Sequence, residues 1–413
     1  MHASVILYLL AVGFASAAPA EVDVARKHHD RDFQVQVGDR PYFLIDNMDD
    51  GPLKRKLESC KDQTSEISKF AIGHRGAPLM YPEHTVESYN AAARQGAGTI
   101  ECDVAFTKDK KLVCRHDHCD LHTTTNILTF PDLAAKCTTP FKPYDPVTGA
   151  PASVKCCTTD ITLKEFKSLC GKMDGFNPNG TSVASYMDGT PPYRTDLYST
   201  CGTLLTHKES IKLIDSYGRD FTPECKTPGV KMPFNGWTQE DFAQEILDEY
   251  KQAGIHHSRV WPQSFLPADV FYWIKAEPKF GRQAVYLDER VDTPDGYANA
   301  TASLPALAKA GVKIMAPAFF AMTKLDKNNK IVPSEYAIAA KKAGMDLIGW
   351  SFERSGFLKS GGGYYYGYVN KVINNDGDMY TVLDVLVKDV KILKMFSDWP
   401  ATVVYYANCM GLP

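Results

Sequence analysis

The stretch FAIGHRGAPLMYPEHT, residues 70–85, contains the pattern from which the fold can be inferred. Its first three residues are apolar and can open a buried strand. His74 and Arg75 then follow between Gly73 and Gly76. Glycine lets the backbone turn sharply and lets a ligand approach it closely. We therefore expect this strand to end beside a binding site to which the two cationic side chains contribute.

Short apolar strands alternate with amphipathic helices along the rest of the chain. N-cap residues indicate where several helices begin. Thr206 begins a capping box with Glu209, and Thr238 and Ser334 each precede a further segment with helical periodicity of its apolar residues. The strand candidates after the first are IECDVAF from Ile100, KLVCRHD from Lys111, FTPECK from Phe221, RVWPQSF from Arg259, QAVYLDE from Gln283, KIMAPAF from Lys313, DLIGWSF from Asp346 and the region of FSDWPATVV near the C-terminus.

This alternation predicts parallel strands, because a parallel crossover connection needs a helix. About eight such units predict an α/β fold, the (β/α)8 TIM barrel, with a doubly wound open sheet as the alternative. The nine strand candidates exceed the number in a barrel, and we expect KIMAPAF to lie outside it. Residues 118–201 show little periodicity, so we expect a loop-rich insertion after the third strand.

The composition and the N-terminus indicate a secreted globular protein. The chain has 413 residues, 44% hydrophobic, and a formal net charge of -3, which gives no reason to expect a nucleic-acid or membrane-surface partner. An apolar run followed by small residues predicts a signal peptide at residues 1–17, although no Lys or Arg precedes it. The run is too short to span a bilayer. We assign residues 18–66 to an N-terminal extension and residues 67–413 to the barrel, interrupted by residues 118–201.

The cysteine content agrees with secretion. Six of the eleven cysteines lie in the predicted insertion, where disulfides would staple a segment with little core of its own: Cys119, Cys137, Cys156, Cys157, Cys170 and Cys201. Cys60 and Cys409 could join the two ends of the mature chain. The odd total leaves at least one thiol without a partner within the chain. Asn179 and Asn299 begin sequons for glycosylation.

Two strand candidates carry carboxylates on the face that would line a barrel. Glu101 and Asp103 point to one side of IECDVAF, and its apolar residues point to the other. Helices cover the outer face of a parallel barrel, so these carboxylates would face inward, repel each other and lose hydration. Glu224 and Lys226 share a face of FTPECK in the same way. Three carboxylates without a ligating histidine predict a hard divalent cation, Ca²⁺ or Mg²⁺.

Two histidines are expected beside that cation. His116 ends the candidate KLVCRHD as His74 ends the first strand, and active sites of barrels lie at the C-terminal ends of the strands. Arg75, Lys226 and the cation would balance the charge of a phosphodiester and of its transition state. Each histidine titrates near neutral pH, so one can accept a proton while the other donates one.

At these residues the chain resembles the glycerophosphodiester phosphodiesterase family. The motifs occur in the family order: GHRG, PEHT in place of the usual PENT, ECDV, HD, PECK, QSF and finally Ser397-Asp398-Trp399-Pro400. The resemblance runs from Phe70 to the C-terminus except for residues 118–201. It implies a (β/α)8 barrel that hydrolyses glycerophosphodiesters to an alcohol and glycerol 3-phosphate, directly or through a cyclic phosphate.

The resemblance also assigns roles to individual residues. It makes Glu101, Asp103 and Glu224 the metal ligands, His74 and His116 the acid–base pair, Arg75 and Lys226 the phosphate contacts, and Gln263 and Trp350 residues that line the substrate pocket. It does not say which histidine is the acid. His84 replaces the usual Asn, and we expect it to hold the loop rather than to act in catalysis. The insertion matches an extra subdomain over the mouth, which should shape head-group choice.

Two other functions stay open from the sequence. A phospholipase D-like enzyme acting on lysophospholipid or sphingomyelin would share the barrel, the metal and both histidines, and the tyrosine-rich segment SGGGYYYGY at residues 360–368 could serve its entrance. A catalytically silent secreted barrel would only bind a phosphorylated ligand, but such a protein usually lacks a ligand or a histidine that this chain has. For the main hypothesis the partner is a small-molecule glycerophosphodiester, with no nucleic acid and no stable membrane insertion.

Overall fold

The computed structural model describes residues 34–413, which belong to one unit of the chain. The predicted signal peptide, residues 1–17, lies outside the described residues, as do residues 18–33 of the predicted extension. None of the helices within residues 34–413 combines the length and the apolar composition that a membrane span requires.

The strands of the described residues follow the predicted order closely. They are β1 (Ser68–Gly73), β2 (Ala97–Phe106), β3 (Leu112–Cys114), β4 (Thr139–Lys142), β5 (Ser153–Lys155), β6 (Cys170–Gly171), β7 (Gly202–Thr203), β8 (Asp220–Cys225), β9 (Gln263–Ser264), β10 (Val285–Asp288), β11 (Ile314–Pro317), β12 (Thr323–Leu325), β13 (Ile331–Pro333), β14 (Asp346–Phe352) and β15 (Lys394–Ser397).

Eight of these strands form a closed parallel barrel. Its order is β1, β2, β8, β9, β10, β11, β14 and β15, and β15 pairs in turn with β1. The (β/α)8 TIM barrel predicted from the strand–helix alternation is therefore confirmed, and the open sheet is excluded.

The helices have the bounds α1 (Arg40–Asp46), α2 (Pro52–Glu58), α3 (Val86–Arg94), α4 (Leu121–Thr124), α5 (Pro131–Ala134), α6 (Leu163–Phe166), α7 (Val183–Met187), α8 (His207–Ser216), α9 (Gln239–Gln252), α10 (Pro267–Ala276), α11 (Pro278–Gly281), α12 (Pro294–Lys309), α13 (Glu335–Lys342), α14 (Asp378–Val385) and α15 (Pro400–Met410). The predicted starts are correct, since the side chains of Thr206, Thr238 and Ser334 cap α8, α9 and α13. Each cap satisfies a backbone N–H that the first helical turn leaves unpaired.

The expectation that KIMAPAF lies outside the barrel is wrong. That segment forms β11, which pairs with β10 and β14. The strand outside the barrel is β3 from KLVCRHD, which runs antiparallel to the C-terminal end of β2. The physical reason is that β2 is ten residues long and continues beyond its neighbours, so the chain turns at residues 107–111 and pairs back along it. The insertion follows β3 in the chain and so lies between the second and third barrel strands.

The insertion has more of a core than the sequence suggested. Its disulfides are Cys119–Cys157, Cys137–Cys156 and Cys170–Cys201, all within the predicted segment. A separate apolar cluster lies among them, and its largest side chains are those of Phe166 and Tyr186. This cluster also uses Ala105 of β2 and Val113 of β3, so the outer end of the hairpin completes the core of the insertion.

Helices α1 and α2 pack on the outside of the barrel. Leu44 of α1 and Leu57 of α2 are fully buried in the main apolar core, together with side chains of α14 and α15. Cys60 forms a disulfide with Cys409, as expected for a link between the chain ends. A further disulfide, Cys102–Cys114, joins β2 to β3, and Cys225 is the free, buried cysteine of the described residues.

Replacing both Cys60 and Cys409 with serine is expected to lower the free energy of unfolding by about 2–5 kcal/mol. The bridge spans a sequence separation of 349 residues, and a cross-link that closes a long loop restricts the unfolded chain strongly. Thermal unfolding followed by circular dichroism measures the change. The control Ser59→Ala alters an exposed neighbour and should leave the melting temperature unchanged. A double variant with the same melting temperature as the wild type would contradict the prediction.

Candidate active site

Three carboxylates from two neighbouring barrel strands meet at the mouth of the barrel. Asp103 of β2 lies directly beside Glu224 of β8, and Glu101 lies two residues earlier on the same face. Each residue offers an oxygen that lies within 4.8 Å of the other two, and all three side chains are buried. The apolar residues that alternate with them on β2 pack into the outer core. The alternation read from IECDVAF therefore has the geometry we predicted.

The electrostatics of this cluster fit a bound cation. Burial and the neighbouring carboxylates raise the pKa of Glu101 well above its ordinary value, and they raise the pKa of Glu224 to about 8. Burial opposes ionisation of Asp103 as well, but Lys226 and His84 lower its pKa. The buried oxygen Asp103 Oδ1 has no hydrogen-bond partner within the described residues. A divalent cation would neutralise the crowded carboxylates and take up that oxygen, so the cluster could hold a metal.

The turn after β1 brings His74 and Arg75 over the carboxylates. His74 Nε2 lies 3.7 Å from Glu101 Oε2, and the Arg75 backbone N–H donates to the same oxygen at 2.9 Å. The Arg75 guanidinium is 3.5 Å from Asp103 Oδ2 and donates to Glu83 Oε2 at 2.9 Å. Arg75 has a φ of 58°, a left-handed conformation that is uncommon outside glycine. The sharp turn expected from GHRG is present.

The glycines beside this turn leave room for the close packing of α3. A Cβ on Gly73 would lie 2.9 Å from the Ala92 side chain, and one on Gly76 would lie 2.4 Å from Ser88 Oγ. Both neighbours belong to α3. Gly76 also has a φ of 92°, which requires glycine. The glycines therefore let α3 approach the turn closely, and the approach of a ligand to this backbone stays a prediction.

His84 contacts a predicted metal ligand. Its ring is fully buried, with Nε2 2.9 Å from Asp103 Oδ2 and Nδ1 3.0 Å from the Tyr89 hydroxyl. We expected this residue only to hold its loop, but it also fixes the orientation of Asp103. Such contacts behind metal ligands commonly set the position of the ligand and the affinity for the metal.

His84→Ala is therefore expected to weaken binding of Ca²⁺ or Mg²⁺ by about 10- to 100-fold. His84→Asn should lose less, because an amide can still donate to Asp103. Isothermal titration with each ion measures the affinity without any assay of turnover. The matched control is His207→Ala, which alters a buried histidine that bonds Glu249 at 2.8 Å away from the site. Equal affinities in His84→Ala and the wild type would contradict the prediction.

The other predicted site residues also lie at the mouth. Lys226 Nζ is 2.6 Å from Glu224 Oε1, and the carboxylate raises the lysine pKa against the effect of burial. Gln263 is fully buried and donates to Glu101 Oε1 at 2.8 Å, so it holds this carboxylate in place. Trp350 is partly exposed, and its indole N–H donates to Ala316 O at 2.7 Å.

His116 reaches the mouth by a different route from the one we inferred. It follows β3, which is not a barrel strand, but the Arg115 backbone N–H donates to Asp103 O at 2.8 Å and so brings the chain back to the level of the carboxylates. Its half-buried ring lies in the field of Arg75, Lys226 and Asp103, and burial together with the two cations lowers its pKa well below the ordinary value.

Sequence reasoning missed three polar residues of this site. Asp398 contacts His74, Arg354 contacts Asp398, and Glu83 contacts Arg75. Glu83 and Asp398 belong to motifs that we had quoted without giving those residues a role. Arg354 is the second residue after β14, so the rule that polar residues after barrel strands reach the mouth could have found it.

Comparison with known proteins places the chain among its relatives. The model of the Glycerophosphoryl diester phosphodiesterase family matches residues 74–355. The chain is 52% identical over 245 residues to a protein of Arthroderma benhamiae named "Extracellular protein", a match that covers 58% of this chain and 100% of that protein. It is 27% identical over 229 residues to "Glycerophosphodiester phosphodiesterase GDPD6" of Arabidopsis thaliana, covering 53% of this chain and 55% of that protein.

A solved structure shows the same fold. The crystal structure from Silicibacter pomeroyi that carries the name glycerophosphoryl diester phosphodiesterase aligns with a TM-score of 0.55 at 18% identity. The alignment covers 86% of this chain and 98% of that one.

Proposed function

Because the chain belongs to the glycerophosphoryl diester phosphodiesterase family, we propose that it hydrolyses glycerophosphodiesters to an alcohol and glycerol 3-phosphate with the help of a divalent cation. The observation that carries this proposal is the meeting of three buried carboxylates with two histidines and two cationic side chains at one barrel mouth. Family membership supports the reaction class, and the geometry supports a charged phosphodiester as the group that binds.

Glu101, Asp103 and Glu224 would hold the cation. All three are carboxylates, as Ca²⁺ and Mg²⁺ prefer, and no histidine or cysteine joins the group in the described residues. When bound, such a cation withdraws charge from the phosphate oxygens and stabilises the transition state. We propose Ca²⁺ or Mg²⁺ on this basis.

Side chains of the protein would bind the phosphate and transfer the protons. Arg75 and Lys226 bind the phosphate oxygens and offset their charge as it grows in the transition state. One of His74 and His116 removes a proton from the attacking hydroxyl, which is either water or the glycerol hydroxyl of the substrate, and the other gives a proton to the departing alcohol. Attack by the glycerol hydroxyl gives a cyclic phosphate that water then opens. Trp350 forms part of the pocket wall beside Phe265, with ring centroids 5.9 Å apart.

We further propose that the protein acts outside the cell. Five disulfides link cysteines of residues 34–413, and disulfides persist in oxidising compartments. The Arthroderma relative is named an extracellular protein. Asn179 and Asn299, which begin the two sequons, are both exposed and open to glycosylation.

A second candidate function is a phospholipase D-like activity on lysophospholipids. The loop after β14 exposes large side chains that an amphiphile could contact: Phe357 is 52% exposed, Tyr364 47% and Tyr368 41%. Tyr366 of the same loop is buried, so the segment is anchored at its centre.

Product analysis separates the two candidates. The purified protein is given glycerophosphocholine, glycerophosphoethanolamine or a lysophosphatidylcholine, each with Ca²⁺, with Mg²⁺ or without either ion. Formation of glycerol 3-phosphate from the first two substrates supports the main proposal. Choline release from lysophosphatidylcholine alone supports the second, and binding without any product supports a silent barrel.

A further inference from the structure

One motif of the sequence has no role in the mechanism above. Asp398 belongs to the segment Ser397-Asp398-Trp399-Pro400 and lies beyond residues 74–355, which the family model matches. The structure places its carboxylate against the first histidine, with Asp398 Oδ1 2.5 Å from His74 Nδ1. Asp398 is fully buried, and His74 is 8% exposed, so water does not compete strongly for this bond.

Backbone hydrogen bonds fix the positions of both His74 and Asp398. The His74 N–H donates to Ser397 O at 3.1 Å, which ties the turn after β1 to the end of β15. The Asp398 N–H donates to Phe352 O at 3.1 Å, which ties the same segment to the end of β14. The aspartate is therefore carried by rigid strand ends and not by a free loop, as the accurate placement of a side chain requires.

Arg354 holds the far side of the carboxylate. Its Nε lies 2.9 Å from Asp398 Oδ2, and its Nη2 lies 4.0 Å from Glu83 Oε2. Glu83 in turn accepts from Arg75 at 2.9 Å. Charges of alternating sign thus run from Arg75, through Glu83 and Arg354, to Asp398, which contacts the His74 ring. Burial favours the protonated acid, but Arg354 and His74 keep the pKa of Asp398 below its ordinary value.

We propose that Asp398, held by Arg354, is a positioning residue that fixes the His74 ring with a proton on Nδ1, so that Nε2 alone exchanges a proton with the substrate. A carboxylate can only accept a hydrogen bond, so His74 Nδ1 must be the donor. The free nitrogen, Nε2, then faces Glu101 Oε2 at 3.7 Å, on the side where the phosphodiester would bind. The inference deepens the proposed function and rests on it. Arg354 and Asp398 act through His74 and need not touch the substrate.

The first test is the variant Asp398→Asn, which keeps the shape of the side chain and removes its charge. It is expected to lower kcat on glycerophosphocholine by about 10²- to 10⁴-fold and to change KM by less than about threefold, because the ring loses its tautomer while the phosphate contacts remain. The matched control is Asp288→Asn at the end of β10. Asp288 is also fully buried and paired with an arginine, Arg290, at 2.7 Å, but it contacts no histidine of residues 34–413. The control should keep its kcat within about threefold of the wild type.

A double variant distinguishes positioning from general support of the fold. In a His74→Ala background, Asp398→Asn should lower kcat by less than about threefold further, because Asp398 has no ring left to hold. Additive losses would overturn the proposal. The variant Arg354→Met keeps His74 and Asp398 but removes the ion pair that holds the Asp398 carboxylate. It is expected to lower kcat about tenfold, and it provides the test if Asp398→Asn does not fold.

The proton on His74 Nδ1 can also be detected by NMR without any substrate. In the proton NMR spectrum of the full chain labelled with ¹⁵N-histidine, the Nδ1 proton of His74 should give a downfield resonance. It should disappear in His74→Ala and Asp398→Asn and persist in Asp288→Asn. A wild-type spectrum without this resonance, or one that Asp398→Asn leaves unchanged, would overturn the inference even if the enzyme is active. If no glycerophosphodiester is hydrolysed, the proposed function fails, and the spectrum still decides whether Asp398 fixes the ring.

Discussion

His74→Ala and His116→Ala are each expected to lower kcat on a glycerophosphodiester by about 10²- to 10⁴-fold. In the proposed mechanism, each substitution removes a group that transfers a proton, and Arg75 and Lys226 remain to bind the phosphate. KM should therefore change much less than kcat. Steady-state kinetics with glycerophosphocholine, in the presence of the activating ion, measures both parameters.

The fold should survive both substitutions. His116 is half-buried, and neither ring belongs to the apolar cores. Thermal unfolding should shift by only a few degrees, and affinity for the metal ion should stay within about tenfold. His122→Ala is the matched control, since it removes a histidine of the insertion that accepts from the Cys156 backbone away from the carboxylates. Near-normal turnover in either active-site variant would refute the role given to that histidine.

Removal of divalent ions by EDTA is expected to abolish turnover, and Ca²⁺ or Mg²⁺ should restore it. Without an ion, burial raises the pKa of Glu101 and Glu224 so that both stay protonated, and the site lacks the positive charge that would stabilise the phosphate and its transition state. Asp103→Asn should show the same loss of turnover even at a saturating concentration of Ca²⁺ or Mg²⁺. Full activity after exhaustive chelation would show that the carboxylates have another purpose. As the control, EDTA already saturated with Ca²⁺ should have no effect.

The affinity for the ion should increase as the pH rises towards 8. Burial and neighbouring carboxylates raise the pKa of Glu224 to about 8, so in the metal-free protein this group holds a proton near neutral pH. The ion must displace that proton, and binding therefore becomes easier as the group ionises. In the same metal-free protein, Glu224 contributes stability that is present below its ordinary pKa and is lost as the pH rises through about 8. Calorimetric titrations at pH 6 and pH 8 measure the change in affinity.

The barrel and its acidic cluster could be read from the sequence because both depend on local patterns. Alternation of side chains along β2 decides which residues face inward, and strand polarity decides which end holds the site. These rules placed Glu101, Asp103 and Glu224 together from two separate segments. The cap residues of α8, α9 and α13 were equally readable, since a cap bonds within its own helical turn.

The features that the sequence did not reveal depend on contacts between distant segments. KLVCRHD has the apolar character of a barrel strand, and only the extension of β2 beyond its neighbours decides that β3 pairs back on it. The bond between Asp398 and His74 joins residues 324 positions apart, so no spacing rule could indicate it. His84 stands where the family motif usually has Asn, so the sequence marks the position as unusual. Its bond to Asp103 depends on how the loop lies over β2, which the sequence does not indicate.

The disulfide between Cys60 and Cys409 makes nearly all of the chain a covalent ring. A single cut by a protease between those positions opens the ring but releases no fragment, because the two pieces stay joined through the bridge. Val147, in a turn of the insertion, is 91% exposed and offers such a cleavage point. The nicked protein would keep its mass on a non-reducing gel and separate into two bands after reduction. An enzyme with this architecture tolerates a protease-rich environment better than its exposed loops alone would suggest.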